Sequence, residues 1–286
     1  MRYERPKTID DVSALLAGSA GRSFVLAGGT DLLVRMKADE FEADLIVDIK
    51  AIEGMTEITR TADGFVIGAA VPCAALGENA DLVAAWPGVV EAANLIGSTQ
   101  IQGRCTISGN LCNASPAADS VPAMVAAGAQ ARIVGPGGRR TVPVEDIPQG
   151  PGKTSLAKGE VIEAILLPEP APRSGDAYLR FTPRTEMDIA VVGVGLQLAL
   201  AEDGSVASAR VALGAVGPKV IVAEKAAAAI LGTRLNQPAL DALAAACSDA
   251  CSPIADKRGT VEFRKQVVGV LAARAAKLAY ERAGEE

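Results

Sequence analysis

Apolar positions along this chain switch between helical and alternating spacing, and the switches predict its elements in order. Thr8-Ile9-Asp10-Asp11 has the form of a helix cap, with Val12, Leu15 and Leu16 recurring after it, so residues 8–16 read as a helix. Residues 23–26 are a short apolar strand that runs straight into Ala27-Gly28-Gly29-Thr30-Asp31. A helical turn over 32–37 and a strand over 45–48 complete a small β-α-β-like unit ending near residue 55. Residues 58–70 read as a hairpin turning at Ala62-Asp63-Gly64. Helical stretches surround Ala74 and 89–96, and the strands 131–134 and 141–144 pair around Gly135-Pro136-Gly137-Gly138. Residues 161–167 form another strand, closed by Pro168.

The run Pro168-Glu169-Pro170-Ala171-Pro172-Arg173-Ser174-Gly175 is the clearest linker. Beyond it the pattern predicts three strands, 178–182, 189–200 and 206–213, then helices over 219–231, 237–249 and 261–283. Strands followed by helices imply an α+β domain whose sheet is covered on one face. The expected division is therefore 1–55, 56–172 and 173–286.

Composition narrows the function classes. The chain is 49 % hydrophobic and 22 % charged, as a folded globular protein should be, and its 3 % aromatic content leaves the core to Ala, Val, Leu and Ile. A net charge of −6 argues against nucleic-acid binding. No stretch reaches the ~18 consecutive apolar residues of a membrane span, and the N-terminus has no apolar signal-peptide centre, so a cytoplasmic location is expected. The five cysteines, Cys73, Cys105, Cys112, Cys247 and Cys251, show no C-x-x-C spacing and suggest no disulfide framework. Histidine is absent, which excludes Ser-His-Asp and Cys-His nucleophilic machinery and every His-ligated metal site. Redox chemistry here would have to come from a bound cofactor, and a flavin could not be bonded through histidine.

Two loops could hold such a cofactor. In Val25-Leu26-Ala27-Gly28-Gly29-Thr30-Asp31-Leu32 a strand delivers paired glycines whose backbone can approach an anion, and successive N–H groups can form a nest around phosphate oxygens. The loop is neither G-x-G-x-x-G nor a Walker A sequence, and a plain β-to-α turn is the alternative reading. The second loop lies in residues 97–119, too rich in Gly, Ser, Thr, Asn and Pro to be one helix or strand throughout. Its core, Thr106-Ile107-Ser108-Gly109-Asn110-Leu111-Cys112-Asn113-Ala114-Ser115-Pro116-Ala117-Ala118-Asp119, offers small hydrogen-bonding side chains suited to a flat polar ring system.

Together with Gly150-Pro151-Gly152-Lys153-Thr154, Tyr178-Leu179-Arg180-Phe181 and Pro253-Ile254-Ala255-Asp256-Lys257-Arg258-Gly259-Thr260, these segments resemble the flavin-binding medium subunit of the xanthine dehydrogenase and carbon monoxide dehydrogenase family. The resemblance covers nearly the whole chain. It implies a two-part FAD-binding domain of the vanillyl-alcohol oxidase-like type, followed by a C-terminal α+β domain with a three-stranded sheet and helices. It places Val25, Leu26, Ala27, Gly28, Gly29, Thr30, Asp31 and Leu32 on the FAD diphosphate. It places Thr106, Ser108, Gly109 and Asn110 along the flavin, Asp119 on a polar part of the cofactor, and Ile162 against it by backbone contact. Arg180 stands where some relatives carry a lysine near the ring. Ile147-Pro148 and Ile96 depart from the aromatics that relatives often carry, and no cysteine-rich insertion for an extra iron–sulfur cluster is present.

The resemblance further implies non-covalent FAD and an electron relay. A large partner would hold the molybdenum cofactor, and a small partner two [2Fe–2S] clusters. Electrons would leave for an external acceptor such as NAD⁺ or a quinone. Two other readings remain at this level: a stand-alone flavin oxidoreductase of the same fold, and a binding or assembly protein that has lost FAD.

Overall fold

The computed structural model describes residues 1–284. The first unit runs β1 (Arg2–Glu4), α1 (Ile9–Gly18), β2 (Ser23–Leu26), α2 (Leu32–Lys37) and β3 (Leu45–Asp48). Its three strands form a parallel sheet in the order β1-β3-β2. The Thr8 hydroxyl accepts the Asp11 N–H and caps α1, which buries Ile9, Val12 and Leu16 on one face. Strand β1 went unread in the sequence because Arg2-Tyr3-Glu4 is polar and largely exposed. Only pairing with the buried β3 makes it a strand.

The second unit contains the hairpin β4 (Ile58–Thr61) and β5 (Gly64–Gly68), then α3 (Cys73–Glu78), α4 (Ala80–Ala85) and α5 (Pro87–Asn94). It continues through α6 (Thr99–Gln102), α7 (Ile107–Asn113), α8 (Ser120–Ala126), β6 (Gln130–Gly135) and β7 (Gly138–Pro143). The short pair β8 (Pro148–Gly150) and β9 (Lys153–Thr154) precedes β10 (Val161–Pro168). An antiparallel five-stranded sheet results, ordered β4-β5-β10-β6-β7, and it shares one apolar core with the first unit. Both expected hairpins form. The expectation of an irregular stretch between residues 97 and 119 is revised: it holds two short helices, because Thr106 caps α7 and Ala114 ends it in the left-handed region at φ 50°.

The C-terminal unit corrects three boundaries. Its sheet has four strands rather than three: β11 (Ser174–Phe181), β12 (Val192–Leu200), β13 (Val206–Gly214) and β14 (Ile221–Val222), antiparallel in that order. Strand β11 begins inside the stretch read as linker. The helix expected over 219–231 is divided, with β14 first and α9 (Glu224–Ile230) after it. A two-residue strand carries too little periodicity to be read locally. Helices α10 (Gln237–Ala250) and α11 (Val261–Gly284) close a second core against this sheet.

Close approach joins the units. A Cβ at Gly195 of β12 would lie 2.3 Å from the Pro122 carbonyl oxygen of α8, which accounts for glycine in a buried strand. On β11 the buried Asp176 accepts the Gly88 and Val89 N–H groups of α5 at 3.1 and 3.2 Å. Arg282 of α11 donates to the Asp176 carbonyl at 2.7 Å and pairs with Glu91 of α5. Burial pushes the Asp176 carboxyl up to about 7; Glu91 adds to that, while Arg282 and the two amides oppose it. A carboxyl raised on folding stabilises most below its unfolded pKa of 3.8, and that stability is lost as pH rises through about 7. Asp176→Asn keeps an acceptor for α5 and removes the titration. The thermal midpoint of the variant should therefore vary less with pH over this window than that of the parent chain. Parallel pH profiles would contradict the assignment.

Candidate functional site: a cleft between the first two units

A cleft of about 360 Å³ opens where the β2–α2 turn faces α7 and the start of β10. Its wall includes Val25, Ala27, Gly28, Gly29, Thr30, Asp31 and Leu32 from the first expected loop. Thr106, Ser108, Gly109 and Asn110 of the second loop lie on it as well, with Ile162. Folding thus brings together two segments that are remote in sequence. Three expected residues are not on this wall. Leu26 continues the sheet, its carbonyl accepting the Ile49 N–H at 3.2 Å. Asp119 and Arg180 form a buried ion pair at 2.8 Å, with the Tyr178 hydroxyl donating to Asp119 at 3.0 Å. Burial raises the Asp119 carboxyl, and Arg180 and Tyr178 partly offset this.

The turn is built from close contacts. A Cβ on Gly28 would sit 2.1 Å from the Arg104 carbonyl oxygen, so only glycine lets the two walls meet. Gly29 adopts φ +78°, a conformation that side chains rarely tolerate. Among the described residues, no acceptor takes the N–H groups of Gly28, Gly29, Thr30, Asp31 or Leu32. Free amides gathered in one turn want an anion or water. Lys50 fixes the turn from behind, its Nζ bonding the Ala27 carbonyl at 3.0 Å and Asp48 at 2.8 Å. Burial alone would raise the Asp48 carboxyl, but hydrogen bonds from Lys50 and Tyr3 outweigh it and hold the pKa down.

The opposite wall is organised by α7. The Thr106 hydroxyl accepts the Gly109 N–H at 2.9 Å, and the Asn110 side chain accepts from the Ser120 N–H and hydroxyl at 3.2 and 2.7 Å. Ser108 is buried and its hydroxyl has no partner among the described residues. An orphaned buried hydroxyl on a cleft wall calls for a ligand acceptor or donor. The register of β10 shifts between Ile162 and Ala164, a bulge that re-aims the strand beside the cleft.

Sequence reasoning missed part of the wall. Phe24 and Phe41 stack at 4.5 Å, and Arg22 and Arg35 lie 5.0 and 5.2 Å from the Phe41 ring. Phe24, Phe41 and Arg35 all line the cleft. The available signal was two lone phenylalanines flanking the glycine turn in a chain poor in aromatics. Glu160 also reaches the wall, but Arg140 grips it at 2.7 and 2.8 Å and holds its carboxyl low.

This wall fits FAD: free amides for a diphosphate, apolar and aromatic surface for rings, and an unpaired hydroxyl between them. Known proteins agree. Residues 1–170 match the FAD binding domain in molybdopterin dehydrogenase, and residues 177–279 the CO dehydrogenase flavoprotein C-terminal domain. The carbon monoxide dehydrogenase medium chain of Afipia carboxidovorans is 34 % identical over 98 % of this chain and 97 % of its own length. A putative xanthine dehydrogenase FAD-binding subunit of Escherichia coli is 31 % identical over 93 % of this chain and 91 % of its own length. The fold superposes with TM-score 0.94 and 32 % identity on carbon monoxide dehydrogenase from Hydrogenophaga pseudoflava, solved in a form lacking the Mo-pyranopterin moiety, covering 99 % of this chain and 98 % of that one. With matches end to end and a cleft whose donors suit the cofactor, the chain belongs to the FAD-binding subunits of the molybdenum hydroxylase family.

Proposed function

We propose that this chain relays electrons within a molybdenum hydroxylase complex, from [2Fe–2S] clusters of a small partner subunit to an external acceptor such as NAD⁺ or a quinone. The large partner, carrying the molybdenum cofactor, oxidises the organic substrate. Bound FAD supplies the redox chemistry, taking electrons singly and releasing them in pairs. The observation carrying the reading is a cleft built to hold rather than to react. Its wall offers amides, hydroxyls and apolar surface, and of its two carboxylates Glu160 is neutralised by Arg140 while Asp31 stands in the glycine turn at the start of α2. Among the described residues no cluster of three potential metal ligands occurs.

In this proposal the amides of Gly28 to Leu32 hold the diphosphate, with the Thr30 hydroxyl beside them. Val25, Ala27 and Ile162 exclude water, and Ser108, Gly109 and Asn110 face the flavin. Thr106 and Asn110 keep α7 in place. Asp119 of the second unit, paired with Arg180 of the C-terminal unit, supports the ring-side end. No helix is long and apolar enough to cross a membrane among the described residues, and we place the complex in the cytoplasm.

The test compares the complex with the isolated flavin-loaded chain under anaerobic conditions. The organic substrate of the complex should bleach the flavin absorbance in the complex and leave the isolated chain unchanged. Equal bleaching of both would replace the relay with a stand-alone flavoenzyme.

A further inference from the structure

Cys73 and Cys105 are distant in sequence and meet behind the cleft. Cys73 opens α3, and Cys105 directly precedes the residue that caps α7. The Cys73 N–H donates to the Cys105 carbonyl at 2.8 Å. One such bond, with standard backbone lengths on either side of it, holds the two Cα atoms within about 6.7 Å of each other, inside the ~4.4–6.8 Å range of disulfides. The two side chains also act on each other, Cys73 on the Cys105 thiol and Cys105 on that of Cys73. Cys73 is fully buried, while Cys105, at 4 % exposure, forms part of the cleft wall.

The remaining cysteines are placed differently. Cys247 and Cys251 lie in the C-terminal core, where the Cys251 thiol donates to the Cys247 carbonyl at 3.0 Å. Cys112 lines the cleft, but burial pushes its thiol up to about 12 and keeps it protonated.

We propose that Cys73 and Cys105 are a redox-modification site, a dithiol that closes to an intramolecular disulfide when a small peroxide reaches Cys105 through the cleft. The bond itself follows from the cysteine geometry. Its gating by an occupant rests on the FAD placement proposed above.

The polarity of the pair sets the order of events. The neighbouring Cys73 side chain lowers the Cys105 thiol pKa, and Cys105 raises that of Cys73. Cys105 is therefore the attacking sulfur. Its thiolate attacks one oxygen of hydrogen peroxide, the O–O bond breaks, and sulfenic acid and hydroxide form. The Cys73 sulfur then attacks the Cys105 sulfur. An S–S bond forms, and the sulfenic oxygen leaves as water with the Cys73 proton. The hydroxide takes up the proton first lost by Cys105. The two sulfurs give up two electrons, and one peroxide becomes two waters.

To test this, the purified full chain is treated with hydrogen peroxide at limiting and at saturating FAD. Free thiols are then alkylated, and the chain is digested without reductant for mass spectrometry. A linked Cys73–Cys105 peptide, lighter by two hydrogens and reopened by dithiothreitol, is expected. It should form about tenfold more slowly once FAD is raised to about ten times its Kd, because the vacant fraction falls by that factor. Cys73→Ser should abolish the link and leave Cys105 to accumulate higher oxides, whereas Cys112→Ser should leave the link intact. In the parent chain, oxidation of Cys105 without joining Cys73, or no oxidation of either at limiting FAD, would overturn the site. A link that forms equally fast at both FAD levels would overturn the gating, and with it the placement of FAD over Cys105, while leaving the disulfide standing.

Discussion

Replacing Gly28 with valine should strip FAD from the chain, with affinity falling at least about 100-fold, or roughly 2.7 kcal/mol. The reason is steric and not specific to the ligand. The new Cβ would lie 2.1 Å from the Arg104 carbonyl oxygen and 2.9 Å from the Cys105 Cα, so the turn must leave the opposite wall. The free amides of the turn are then carried away from the cleft wall they share with Thr106 to Asn110. Gly29→Val acts through a second cause, since a β-branched residue at φ +78° is strained and its Cβ would press on Leu26 at 2.8 Å. Gly18→Ala is the control, with nothing within 4 Å of its Cβ. Flavin content after gel filtration and the far-ultraviolet circular dichroism of the same samples give the answer. Full flavin occupancy in Gly28→Val would remove the turn from the site.

The second large effect is on stability. Arg180→Met should destabilise the chain by about 3–5 kcal/mol, the usual result of leaving one charge of a buried pair alone. The Arg180 and Asp119 side chains are 5 % and 10 % exposed, so water cannot replace the lost guanidinium. Among the described residues, only the Tyr178 hydroxyl then remains of Asp119's side-chain partners. The carboxyl, already raised by burial, should rise further. A carboxyl raised on folding loses its stabilising contribution as pH increases, so the deficit of the variant should shrink as pH falls and Asp119 takes up a proton. Adding Asp119→Asn should recover much of the loss at neutral pH. Denaturant unfolding at two pH values measures both effects, and a deficit independent of pH would mean that the pair does not carry the charge assigned to it.

Much of the site was legible because its signals are local. A strand ending in paired glycines announces a turn that the chain can make only there, and Thr-Ile-Asp-Asp announces a capped helix. Thr106 carried the same capping signal for α7, but it lay among so many small polar residues that the segment read as a loop. The Pro-rich run after Pro168 suggested a longer linker than exists, since Ser174 and Gly175 already pair with Ala199 and Leu198.

The sequence by itself determined much of the succession of helices and strands, the two-hairpin second unit, the strand-then-helix C-terminal unit and the glycine turn, because each is written in residues a few positions apart. Its lack of histidine also determined which chemistries are unavailable. Only the tertiary structure decided why Gly28 must be glycine, since the obstructing carbonyl belongs to Arg104. It likewise decided that Asp119 pairs with Arg180, that Asp176 receives the amides of α5, and that Cys73 rests against Cys105. These contacts join residues tens of positions apart, where spacing along the chain carries no information. They exist because packed sheets and helices bring buried polar groups from distant segments within hydrogen-bonding reach of one another.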